Sequence, residues 1–174
     1  MNYYEYTPDN KNVAEKVLAG LALVLAAACF GVSRLDGIPY PAIFQFVAVV
    51  FLAAAFVIAN KSILRSYTYT VTEPDEAGER EFLITEHYGR RNTAVCRVTL
   101  SQVTAVCAVS AGEKAVIRET EQAANVIYRY LTPLFPRDFL LVTLQTGDAV
   151  TLLRIPAEKG LESALKNGNR NICL

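Results

Sequence analysis

The chain has 174 residues, 52% of them apolar, a mean hydropathy of +0.24, and 17 basic residues balanced by 17 acidic ones. From residue 66 onward 12 Lys and Arg stand against 13 Asp and Glu, a net charge of −1, which excludes the electrostatic footprint of a nucleic-acid binder. Four cysteines (Cys29, Cys96, Cys107, Cys173) are widely spread and the chain has one histidine, so neither a metal site nor a disulfide framework is encoded, and each cysteine reads as a small hydrophobe or a free thiol of a reducing compartment.

Residues 1–12 form a polar tail. Its three tyrosines, in MNYYEYTPDN, suit either a peptide that adds to a strand edge or a segment at a membrane interface. Residues 13–65 hold most of the apolar excess and read as a transmembrane helical hairpin, with helices over about 14–33 and 41–60. Val17 to Ser33 has no charge and gives ~26 Å of helix; Val13 and Ala14 extend it if Glu15 and Lys16 turn their heads to the interface. From Pro41 to Asn60 an uncharged run gives ~30 Å, the thickness of a hydrocarbon core. A soluble α-hairpin core is the alternative, but nothing amphipathic is left to cover two such helices.

The stretch CFGVSRLDGIPYP between the runs reads as a tight turn outside the bilayer, with Arg34 and Asp36 as its charges, Gly37, Pro39 and Pro41 as breakers, and Tyr40 at headgroup depth. A rival reading takes LAAAC, residues 25–29, as a lipoprotein cleavage site. Ala26 where a larger aliphatic is usual, an acidic leader (Glu5, Asp9, Glu15) and the second apolar run oppose it. Ala19, Ala22, Ala26, Cys29 and Ser33 follow helical spacing and form a small-residue seam; Ala48, Ala55 and Ala59 form another. Such seams let helix backbones approach, within one hairpin or between copies. Gln45 is read as a local hydrogen-bonder, and no buried charge marks a transport route. Lys11, Lys16, Lys61 and Arg65 flank the helices while the turn has only Arg34, which predicts both termini in the cytoplasm.

From residue 66 to 174 the periodicity becomes two. SYTYTVTE, EFLITEHY, TAVCRVTL, VTAVCAVS, NVIYRYLT, DFLLVTLQ and AVTLLRI are seven predicted strands, with Gly89 and Gly147 at hairpin turns. AGEKAVIRETEQAA reads as helical or irregular, and PAEKGLESALKNGN as a closing helix with Leu161 and Leu165 on one face and Gly168 as a stop. The fold class is therefore a membrane α-hairpin plus a mainly β, α+β domain, its seven antiparallel strands closing a barrel or orthogonal sandwich plugged by a C-terminal helix.

YGRRNTAVCRVTLSQVTAV, a strand running into a Leu-x-x-Val step, and FLLVTLQTGDAVTLLRIPAEKGLESAL, a hairpin followed by a helix, make the segment from about 66 to 167 resemble a bacterial pleckstrin-homology-like (PH-like) domain. Two transmembrane helices ahead of such a domain are a known bacterial arrangement. The resemblance implies an integral, multi-pass protein of a bacterial cell membrane. Eukaryotic domains of this fold often bind phosphoinositides through basic residues of the first hairpin, but here that hairpin is TEPDEAGERE, whose five carboxylates against Arg80 would repel the ligand. Candidate lipid contacts are instead the adjacent pair Arg90 and Arg91, with Lys61 and Arg65 beside the second helix.

Tyr128, Tyr130, Phe135 and Phe139 form an aromatic candidate partner surface, a groove or an edge strand open to peptide addition. His87 stands in a strand before a turn, and no Gly-x-Ser-x-Gly, Gly-x-x-x-x-Gly-Lys or His-Glu-x-x-His pattern occurs. The expectation is a non-enzymatic interaction or scaffold module, without catalytic residue, metal or cofactor, whose partners are the bilayer and a protein or a second copy. The alternative is an oligomeric membrane assembly whose hairpins associate through the seam and whose domain acts as a regulatory cap.

Overall fold

Two helices with no polar face follow one another in the computed structural model, which describes residues 2–8, 13–76, 78–133 and 136–168. They are α1, Val13–Val32, and α2, Pro41–Ile58, which runs on through a π-helical turn, Ala59–Ile63, closed by Leu64 N–H on the Ala59 carbonyl at 3.0 Å. The 20 residues of α1 give ~30 Å. Gly37 (φ +84°) and Tyr40 (φ +58°) turn the chain between them, and Pro41 opens α2, where its fixed φ and missing N–H carry no penalty.

The helices pack on each other through the predicted small residues: Ala19, Ala22 and Ala26 of α1 and Ala48 and Ala55 of α2 are buried, and Cys29 is half-buried. Ser33 closes the α1 seam with its hydroxyl on the Phe30 carbonyl. Glu15 continues the buried line toward the start of α1, so of the Glu15–Lys16 pair only Lys16 turns outward. Leu21, Val24, Phe46 and Phe56 point away from the contact. Only 22% of the apolar window of α1 and 11% of that of α2 is buried, so the coverage that a soluble helical core needs is missing. Both helices are long and apolar enough to cross a membrane.

The chain divides into two compact units, the hairpin and a mainly β domain. One sheet of the domain has the order β1-β2-β3-β4, built from β1 (Asn2–Tyr6), β2 (Arg65–Thr72), β3 (Glu81–Tyr88) and β4 (Arg91–Thr99). The other has the order β5-β7-β8-β6, built from β5 (Val103–Ser110), β6 (Val126–Arg129), β7 (Asp138–Thr146) and β8 (Ala149–Pro156). Helix α3 (Lys114–Gln122) precedes β6, and α4 (Lys159–Gly168) ends the described chain. Gly89 and Gly147 take positive φ at the two predicted hairpin turns. The core gathers Tyr69, Phe82, Ile84, Leu140, Leu153 and Ile155 between the sheets, with Leu161 and Leu165 of α4.

Three expectations are corrected. The described residues of the domain form eight strands, because the tyrosine-rich tail pairs antiparallel with β2, Tyr6 opposite Tyr69 and Glu5 opposite Thr70. The two sheets do not close into a barrel. The strands are not all antiparallel: β6 runs parallel to β8, Val126 opposite Thr151 and Arg129 opposite Arg154. The chain reverses once into β7 and again into β8, so β8 regains the direction of β6 and lies beside it.

Candidate partner groove

Among the described residues strand β6 has one neighbour, β8, and its four residues, VIYR, are all exposed. Val126, Ile127 and Tyr128 are 44%, 36% and 47% accessible, an apolar edge where proteins ordinarily place Lys, Pro or a covering helix. A parallel ladder engages alternate residues of a strand. The Tyr130 amide, immediately after β6, donates to the Arg154 carbonyl at 2.9 Å, so two-residue alternation turns the amides of Ile127 and Arg129 away from β8. Strand β4 is likewise an edge, and its first four residues are exposed.

Between these edges lies a groove of about 310 Å³, walled by Val95, Cys96 and Val98 on one side and Tyr128 and Tyr130 on the other, with Leu144 and Leu153 among its lining residues. Tyr130 organises it. Its ring stacks on Tyr128 (centroids 6.0 Å, 10° between planes) and meets the edge of Tyr67 at 5.8 Å. Its hydroxyl donates to the Val95 carbonyl of β4 at 3.2 Å, and its own carbonyl accepts from Tyr69. Burial, then the neighbouring Cys96 and tyrosines, push the Tyr130 hydroxyl up to about 12; burial raises Tyr69 further still, so both remain donors at physiological pH. Burial also raises the Cys96 thiol, which keeps it in the unreactive protonated form.

The predicted surface is thus half assembled. Tyr128 and Tyr130 share a face, as their spacing required. Phe139 does not join them. It is 3% exposed in a satellite core with Val109, Leu141 and Leu152, under the Arg154 guanidinium at 5.2 Å, because its β7 position points to the opposite side of that sheet. Arg154 in turn pairs with Glu121 of α3, which Arg129 approaches at 3.9 Å. Phe135 lies outside the described residues, as do Lys11 and Cys173. Lys61, Arg65, Arg90 and Arg91 are all exposed. Sequence reading missed Tyr67, Tyr69 and the β4 wall, since nothing local in SYTYTVTE says which strand its rings will meet.

Tyr4 of β1 donates to the Glu158 carboxylate, which also caps the start of α4 by accepting the Leu161 amide at 2.6 Å. Burial opposes charge on Glu158, yet the Tyr4 hydroxyl and the Gly160 and Leu161 amides hold its pKa below the ordinary value. Near the other end of β1, Thr7, Thr68, His87 and Asn92 form a hydrogen-bonded line across the first sheet, each step 2.8 Å. Asn92 Oδ1 can only accept, so Nδ1–H of His87 donates to it, and Nε2 meets the Thr68 hydroxyl. The lone histidine therefore has a structural place. Among the described residues no group of His, Cys, Asp and Glu could hold a metal. The chain matches no family model, no curated protein and no solved structure.

Proposed function

We infer that the protein is a membrane-anchored, non-enzymatic interaction module whose domain takes an extended peptide of a protein partner along the β6 edge. The observation that carries this is the uncovered apolar strand Val126–Arg129 beside the Tyr128–Tyr130 groove, with two backbone amides directed outward. Main-chain bonds to Ile127 and Arg129 would supply affinity, and side-chain burial over Tyr128 and Tyr130 would supply selectivity. The arrangement of two sheets and a terminal helix is compatible with the PH-like reading of the domain.

The hairpin is the anchor. Strand β1 precedes α1 and pairs with β2, which follows α2, a pairing that supports a topology with both flanks of the hairpin on one side of the bilayer. The basic residues at those flanks favour the cytoplasmic side. The lipoprotein reading loses ground, since cleavage before Cys29 would remove a strand of the domain. The alanine seam packs within the hairpin, which supports the anchor reading; an oligomeric assembly with the domain as a regulatory cap is the second reading.

The test is photo-crosslinking in intact cells from a photoreactive residue at Tyr128, against a control at the exposed Lys159. Discrete adducts at Tyr128 that vanish with Ile127→Pro support the reading. Proline is tolerated where an edge amide faces outward, so this variant blocks strand addition without breaking the β8 ladder. Equal adducts at both positions, or adducts indifferent to Ile127→Pro, refute it.

A further inference from the structure

We propose that the β3–β4 turn, Arg90 and Arg91, is an electrostatic foot that docks the domain on anionic lipid headgroups. This rests on the membrane-anchor reading and adds the surface that orients the domain.

The first sheet is polarised along its strands. One end carries the β2–β3 connection with Glu73, Asp75, Glu76 and Glu79, all exposed. The other carries the tight β3–β4 turn with Arg90 and Arg91, also exposed. The eight residues of β3 separate them by ~27 Å. Among the described residues neither guanidinium has an ion pair, whereas Arg97 further along β4 is neutralised by a two-pronged bond to Glu81 at 2.9 and 3.0 Å. The acidic side chains in the turn's half of the sheet are Glu5 and Glu86, and Glu86 faces the Tyr67 hydroxyl at 3.5 Å.

Chain connectivity identifies the end nearest the bilayer. Arg65 begins β2 two residues after Ile63, the last residue of the second apolar helix, a reach of at most ~7 Å. Strand β3 runs antiparallel to β2, as the Thr72–Glu81 and Thr68–His87 bonds require, so the β3–β4 turn lies at the end where β2 begins. The chain leaves β1 for α1 from that same end, after Tyr6. The two arginines are thus at the end of the first sheet at which the chain enters β2 from the hairpin, and the acidic loop is at the opposite end. An anionic leaflet would attract one end and repel the other, a pairing that favours one upright orientation.

The chain has no tryptophan, so a single one reports cleanly. The full chain carrying Tyr88→Trp is placed in phosphatidylcholine nanodiscs, with and without phosphatidylglycerol, containing a headgroup nitroxide lipid as contact quencher. Quenching is expected only with phosphatidylglycerol, and is lost in 1 M salt, where screening acts over ~3 Å. Replacing Arg90→Gln and then Arg91→Gln lowers the docked-to-undocked ratio about fivefold each. A Glu79→Trp reporter stays unquenched throughout. Thr93→Trp, on β4, serves if Tyr88→Trp does not fold. Equal quenching in both lipids, or quenching unchanged by the glutamine pair, overturns the proposal while leaving an embedded anchor intact. A chain that carbonate strips from the membrane overturns the anchor reading and this one together.

Discussion

The hydroxyl of Tyr69, buried in β2, donates to the main-chain carbonyl of Tyr130, so the residue that ends the β6 edge is held by the opposite sheet. The groove is therefore built on a tether rather than on a continuous ladder. Tyr69→Phe removes a buried donor and leaves a carbonyl under-satisfied, at about 1–3 kcal/mol. Tyr130→Phe loses only its half-buried bond to Val95, at about 0.5–1.5 kcal/mol. Thermal unfolding in detergent should rank Tyr69→Phe as the more damaging, and the reverse order would show that the β4 contact, not the β2 tether, holds the edge.

Gly160 sits where a Cβ would meet the Tyr4 hydroxyl at 2.6 Å and Glu158 Oε2 at 3.0 Å. Gly160→Ala should push the phenol off the carboxylate and lose a charge-assisted bond worth about 1.5–3 kcal/mol. In a Tyr4→Phe background the hydroxyl clash is gone, although ring Cε2 still lies 2.9 Å from the added Cβ, so the cost of the same change should shrink. A double-mutant cycle that shows plain additivity would mean that β1 is not pinned through this contact.

The pH dependence of β1 follows from Glu158. Its pKa is depressed from 4.5 in the folded state, so the charged form contributes stability that is present above that ordinary value. That stability is lost as pH falls through the lower, folded value. Hydrogen exchange of the β1 amides, corrected for intrinsic rates, should accelerate on acidification below this range more than exchange in β7 does. Glu158→Gln should flatten the difference, and an equal acceleration of both strands would assign it to global unfolding.

Ala22 and Ala26 are buried between the two helices. Leucine at either position overpacks the contact by about 1–3 kcal/mol and should separate α1 from α2, whatever the oligomeric state. Crosslinking between cysteines introduced at Ala19 and Ala55 reads this directly. Leucine variants that keep the crosslink but lose oligomers would return the seam to an intermolecular role.

The hairpin, most strands and the closing helix were legible because each is a local pattern: uncharged runs of membrane length, two-residue alternation, Leu161 and Leu165 one turn apart. The glycine turns at Gly89 and Gly147 were legible because only positive φ closes them. What the tertiary structure decided was partnership. NYYEY is too short and too polar to declare itself a strand, and it became one because β2 offered an edge and Glu158 a partner for Tyr4. The parallel pairing of β6 depends on two chain reversals beyond it. Phe139 and Tyr130 are near in sequence yet face different cores, since a strand's two faces separate neighbours that sequence distance joins. Local composition thus determined what each segment is, while long-range hydrogen bonding and burial chose what it touches, and the groove exists only at that second level.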